Sequence, residues 1–191
     1  MITEFVKAFI MLFVIMDPFG GIPAFLSLTK NFKMERMRQS ANRAIWVAGL
    51  LILIFIFLGL FILDFFSISL ESFKIGGGLI LLIIGFSFIL DIKLGNAKHY
   101  EKDITIPMAT PLISGPGVLT TIIILVSVYG HLITFVVAIL NLFLFWLLMR
   151  YSNYLHKAIG HQGMEIVSRI MGLILVAMAV EFILTGIQAM F

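Results

Sequence analysis

Apolar runs of about twenty residues recur along this chain, divided by short polar stretches, and a run of that length is what a helix needs to cross a bilayer. The pattern predicts six spans: about Phe5 to Thr29, Ala44 to Phe66, Phe73 to Leu90, Ile104 to Tyr129, Leu132 to Tyr151 and Arg169 to Ala189. Lys30 to Arg43, residues 91–103 and Ser152 to Ser168 read as polar loops. Asp64, Glu71 and Lys74 bracket a short turn, and Gly130-His131 makes a tight one. Strands of alternating polarity are absent, so the predicted fold is all-α, an integral membrane protein with one transmembrane domain over residues 1–191. The first run reads as a retained span, because Glu4 and Lys7 supply no basic leader and the apolar run continues past Asp17.

Composition agrees with the pattern. Hydrophobic residues make up 61% of the chain and charged residues 12%, with a mean hydropathy of +1.15. A water-soluble domain carries about 25% charged residues, twice this density. The chain has no cysteine, which removes disulfides, thiolate catalysis and cysteine metal sites.

Charge gives the spans a direction. The net charge of +3 would suggest nucleic acid in a soluble protein, but here the basic residues gather beside spans. Six spans place the stretches after the first, third and fifth on one side. That side holds Lys30, Lys33, Arg36, Arg38, Arg43, Lys93, Lys98, Lys102, Arg150, Lys157 and Arg169, leaving only Lys7 and Lys74 for the other. Basic segments stay in the cytoplasm, so both termini are expected outside and no nucleic-acid partner is expected.

The chain also repeats itself. A shift of 93 residues brings Pro18 onto Pro111, Pro23 onto Pro116, Leu26 onto Leu119 and Ser27 onto Thr120. A shift of 94 brings Gly78-Leu79-Ile80-Leu81 onto Gly172-Leu173-Ile174-Leu175. Residues 1–91 and 104–191 are therefore read as two three-helix repeats joined by the cytoplasmic loop 91–103. Three is odd, so the second copy enters from the opposite face, an inverted repeat.

The repeated prolines fall inside spans 1 and 4. Proline removes a helix hydrogen bond and clashes with an earlier carbonyl. Pro18 and Pro23, with Gly20 and Gly21 between them, are expected to break span 1 at mid-membrane; Pro111 and Pro116, with Ser114, Gly115 and Gly117, are expected to break span 4. Pro23 and Pro116 suit the first turn of the half-helix after each break. Broken helices at matching places in two inverted halves point to a substrate site, since unpaired backbone at that depth must be buried in protein or line a wet cavity. Helix N-termini attract a carboxylate and helix C-terminal carbonyls attract an ammonium or a metal cation, a combination that suits a zwitterion.

Asp17 is the one acid placed near mid-membrane. It reads as a group that binds a substrate ammonium, holds Na+ or takes up H+, against the plainer reading of a cap accepting backbone N–H groups. Its counterpart in the second repeat is Thr110. Candidate substrate contacts are Asp17, the backbone at Gly20, Gly21, Gly115 and Gly117, the hydroxyls of Ser27, Ser114, Thr120 and Thr121, and the amide of Asn141, which otherwise bridges two helices. Serine and threonine often bond back to their own helix instead. Gly76, Gly77, Gly78, Gly85 and Gly172 read as close-packing surfaces, and Glu181 as an interfacial charge.

Catalysis and a resident metal or cofactor are not expected. An intramembrane aspartyl protease needs a second acid beside Asp17. His99, His131, His156 and His161 all fall in loops or turns, which leaves no Ser–His dyad and no metal spacing; they read as solvated.

The stretch Asp17-Pro18-Phe19-Gly20-Gly21-Ile22-Pro23-Ala24-Phe25-Leu26-Ser27-Leu28-Thr29, together with Pro111-Leu112-Ile113-Ser114-Gly115-Pro116-Gly117-Val118-Leu119-Thr120-Thr121, resembles the MarC family. That family is also called the neutral amino acid transporter or SnatA-like family, within the LysE-type superfamily. The resemblance covers essentially the whole chain. The family's first motif usually reads Asp-Pro-x-Gly-Asn-x-Pro, and Gly21 stands at the asparagine position. The resemblance implies transport of small neutral amino acids such as glycine and alanine, coupled to H+ or Na+, across the plasma (inner) membrane of a prokaryote. Export of another small solute is the alternative, and a non-transporting membrane scaffold or regulator is a third class. The partners expected are the amino acid, the coupling ion and the lipid bilayer; a homo-oligomer is left open.

Overall fold

A computed structural model describes residues 2–29, 32–90 and 113–190. The loop 91–103 with Thr110 and Pro111 lies outside the described residues, as does the side chain of Ser27. The described elements are all helical: α1 (Ile2–Met16), α2 (Pro18–Thr29), α3 (Met34–Phe65), α4 (Leu70–Leu90), α5 (Pro116–Arg150) and α6 (Ser152–Met190). Among the described residues five helical stretches are long and apolar enough to cross a membrane. Their outer faces carry large apolar side chains such as Trp46, Leu132 and Tyr154, each three-quarters or more exposed, which is the surface lipid accepts and water does not. The chain is a multi-pass membrane protein.

The fourth and fifth predicted spans join in α5, where the backbone departs from helical geometry only at Gly130 (φ 80°, ψ 169°). The contacts show that the chain doubles back there. Residues 131–150 run antiparallel to α3: His131 stacks on Phe57 at 6.1 Å, Leu142 faces Gly49, and the Trp146 indole donates to Asn42 Oδ1 at 2.7 Å. Ile123 packs on Gly59, two residues from Phe57. In one straight helix Ile123 would lie about 12 Å beyond His131. A single glycine with positive φ makes the reversal, a conformation that L side chains seldom adopt.

Two predicted loops are helical. The basic stretch Lys30 to Arg43 becomes the first turns of α3 from Met34, because Met-Glu-Arg-Met-Arg-Gln are all strong helix formers. Its buried positions Met37, Ala41, Ala44, Ala48, Ile52, Ile56, Gly59 and Leu63 recur every three or four residues, so one stripe serves throughout. Ser152 to Ser168 is likewise helical, in two pieces that meet at Gly160, whose backbone (φ 76°, ψ 167°) repeats the turn at Gly130. His156 is correspondingly not solvated throughout, for its Nδ1 is buried.

Helices α4 and α6 pack closely through small residues. A β-carbon on Gly78 would lie 2.8 Å from the Ala179 carbonyl oxygen and 2.6 Å from Ile183 Cγ1. One on Gly172 would lie 2.9 Å from the Gly85 carbonyl oxygen and 3.1 Å from Ile89 Cγ1. Backbone meets backbone across this seam, as small residues allow in membrane helices. Gly76 departs from the expected packing role: a β-carbon there meets nothing within 4 Å.

Candidate functional site: the break at Asp17

The first helix breaks at Asp17 alone. Its N–H bonds back to the Phe13 and Val14 carbonyls at 3.2 and 3.3 Å, closing α1, and its C=O accepts the Gly21 N–H at 3.0 Å, opening α2. Its φ of 35° turns the chain between the two helices. Aspartate is one of the few non-glycine residues that tolerate this region. Pro18 then takes the first helical position, where its missing N–H is no loss.

This corrects the expected geometry. The glycine pair does not interrupt the helix, and Pro23 does not begin one: α2 runs unbroken through Gly20, Gly21 and Pro23. With Pro18 already at the start of α2, Pro23 enters a turn later and is carried inside it. At the second proline stretch α5 does begin at Pro116, behind Gly115 in an extended conformation (φ −66°, ψ 173°) with no side-chain cap.

Asp17 is 2% exposed, and both carboxylate oxygens are engaged. Oδ1 accepts the Gly20 backbone N–H at 3.1 Å, the standard reach of an N-cap side chain to the third residue of its helix. Oδ2 accepts the Ser168 hydroxyl of α6 at 2.5 Å. Gly20 makes this possible, since a β-carbon there would overlap Oδ2 and lie 2.7 Å from Ser168 Oγ. The capping role of Asp17 is thus present, and the same carboxylate also reaches a helix 151 residues away in sequence.

The two broken regions adjoin. A β-carbon on Gly117, in the first turn of α5, would lie 3.7 Å from Ile15 Cγ2, two residues before Asp17. The carbonyl end of α1 and the N–H end of α2 meet at Asp17, where both signs of helix partial charge are available, and the first turn of α5 packs against the last turn of α1. Ser114 is buried in the same neighbourhood at 2% exposure. Gly117 also packs on Leu81 and Ile84 of α4.

The other candidates divide. Thr121 donates back to the Gly117 carbonyl at 2.9 Å, and the methyl of Thr120 fills the space beside Gly77. Both side chains are buried and serve their own helix or its neighbour. Asn141 donates to the Val137 carbonyl at 2.9 Å and to the Phe9 carbonyl at 3.4 Å. Phe9 precedes Asp17 by eight residues, about 12 Å along α1, so Asn141 bridges two helices away from the break. Its Oδ1 has no partner among the described residues. No three His, Asp or Glu side chains among the described residues gather to hold a metal ion.

Sequence reasoning missed Ser168, taking it as the end of a loop. A signal for it exists. Beyond Gly160 the buried positions of α6 are Met164, Ser168, Gly172, Leu175, Ala179, Phe182 and Gly186, at helical spacing, and Ser168 is the polar member of that stripe.

Comparison with known proteins agrees with this picture along the whole chain. Residues 2–191 match the model of the MarC family integral membrane proteins. The chain is 36% identical to the UPF0056 inner membrane protein YhgN of Escherichia coli K12, covering 97% of each. It is 35% identical to the UPF0056 membrane protein BU267 of Buchnera aphidicola subsp. Acyrthosiphon pisum, covering 100% of this chain and 94% of the relative. It is 34% identical to the UPF0056 membrane protein MJ1677 of Methanocaldococcus jannaschii, covering 96% of each. No solved structure matches. A chain matched from its second residue to its last, with relatives in bacteria and an archaeon, belongs to the MarC family of integral membrane proteins.

Proposed function

We propose that this protein is a secondary transporter of small neutral amino acids, glycine and alanine among them, coupled to H+ or Na+. The observation that carries this reading is the buried Asp17 at a helix break, beside the starts of α2 and α5. An acid about 22 Å along a membrane helix from Ile2 is expensive unless it serves a purpose. The amino acid's ammonium, or a coupling cation, binds the Asp17 carboxylate. Its carboxylate lies toward the N–H ends of α2 and α5, and its small side chain suits the glycine-lined backbone.

Alternating access calls for two halves of like build, with six crossings. The reversal at Gly130, which divides α5, is in keeping with a sixth crossing. The α4–α6 seam supports an inverted repeat in detail. A shift of 94 turns Gly78 into Gly172, Ala179 into Gly85 and Ile183 into Ile89, so the contacts of Gly78 become those of Gly172. With basic residues cytoplasmic, both termini lie outside, α1 runs inward and residues 116–129 run outward.

The test is uptake of [14C]alanine and [14C]glycine by purified protein in liposomes under imposed Na+ or H+ gradients. Concentrative uptake that collapses with one gradient supports the reading. Absence of both uptake and counterflow from monodisperse protein rejects it in favour of a scaffold, and flux of a different solute alone favours the exporter.

A further inference from the structure

Ser168 behaves unlike the other helix hydroxyls. Thr29, Ser87, Thr121, Ser127, Thr134 and Thr185 each donate to a carbonyl three or four residues back in their own helix. That is the usual habit of these residues in membrane helices. Ser168 instead donates across to Asp17 Oδ2, from a buried position in the α6 stripe. The space it uses exists because residue 20 has no side chain. Three separate elements are therefore shaped around one bond: the turn at Asp17, the first turn of α2 and the buried face of α6.

We propose that Ser168 is a positioning residue of the Asp17 site, and that the Asp17–Ser168 hydrogen bond ties the broken helix pair α1/α2 to α6 until a cationic group takes the carboxylate. The part played by the cation rests on the transporter reading; the tie does not. The chemistry is a competition for one acceptor. Oδ1 is held by the Gly20 N–H and must stay so to cap α2. Oδ2 is held by a neutral hydroxyl, whereas an ammonium or a metal cation brings a full charge of its own and makes an ion pair with the carboxylate. A cation arriving at Oδ2 displaces the Ser168 hydrogen, which turns back to a carbonyl of its own helix as the other hydroxyls do. Occupancy at Asp17 is thereby converted into loss of a bond between two helices, the differential contact that a ligand-driven change of conformation requires.

The chain has no cysteine, so labels can be placed without background. Lys7→Cys on α1 and Gln188→Cys on α6 are both exposed. Spin labels there report the α1–α6 distance by pulsed electron paramagnetic resonance in lipid nanodiscs. Ser168→Ala is expected to shift the balance toward a longer distance by about fivefold or more, the effect of losing one such bond. Ser168→Thr keeps the hydroxyl and is expected to match the parent, while Ser168→Val, of nearly the same shape, is expected to match Ser168→Ala. Alanine or NaCl, each added alone to the parent, is expected to move the distribution in the same direction. Equal distributions for Ser168→Thr and Ser168→Val would overturn the tie. A longer distance in Ser168→Val, with no response of the parent to either alanine or NaCl, would overturn the competition. Failure of the transporter reading shows separately, as absent uptake by the unlabelled protein.

Discussion

The two places where a helix begins inside this molecule start alike and are finished differently. Both α2 and α5 open on a proline at the first helical position. At the first, the residue before the proline is an aspartate that caps the helix with its own carboxylate and is bound from α6. At the second, the residue before the proline is Gly115, extended and with no side-chain cap. In the repeat frame Pro116 corresponds to Pro23, so the second start lies one proline later than the first. Residue 20 is a glycine because a carboxylate occupies the space beside it, whereas its counterpart, Ile113, is a large buried side chain. Of the two helix starts, only the first carries a charge.

Breaking the first start should have the largest effect. Asp17→Ala removes the cap and strands the buried Ser168 hydroxyl, a combined loss of about 2–4 kcal/mol, read as a large fall in thermal stability in detergent with loss of uptake. Gly20→Ala drives a methyl into the carboxylate and Ser168, and overpacking of this kind costs about 1–3 kcal/mol. It should also lower uptake, because the carboxylate must move; unchanged stability and uptake would mean that the cradle is not as close as described. Asp17→Asn sharpens the comparison further. Asparagine caps as well as aspartate and tolerates the same backbone angle, so stability should fall by no more than about 1 kcal/mol, while ion-driven accumulation in liposomes disappears. Retained accumulation would reduce Asp17 to a cap and make the two starts equivalent in function. The smallest effect belongs to the second start. Thr121→Val removes a hydroxyl that bonds only its own helix, with a stability change of about 0.5–1 kcal/mol and an unchanged KM for alanine.

The sequence made the membrane class, the paired proline regions and the turn at Gly130 readable, since each rests on local physics: apolar length, a missing N–H, a residue free to take positive φ. It misplaced the break by a few residues because proline and glycine appeared the weaker links, when an aspartate can cap one helix and close another in one step. The stretches 34–43 and 152–168 looked like loops because charge was taken as the mark of a turn. Charged residues are good helix formers: α3 runs unbroken through 34–43, and 152–168 is helical on either side of Gly160. Ser168 was hidden for a different reason. Its role depends on a contact between distant parts of the chain, and only the buried periodicity of α6 hints at it. Asn141 left two readings open, and its amide nitrogen makes the helix bridge, to the carbonyls of Phe9 and Val137.

The seam between α4 and α6 sets how the rest can move. Helices that slide past one another do so on a layer of side chains that can change rotamer as they pass. Gly78, Gly85, Gly172 and Ala179 leave no such layer, since each turn of one backbone rests on a carbonyl of the other. A shift along the axis would drive these carbonyl oxygens into the facing α-carbons, so α4 and α6 keep one axial register, and through Ser168 the turn at Asp17 is held against that fixed pair.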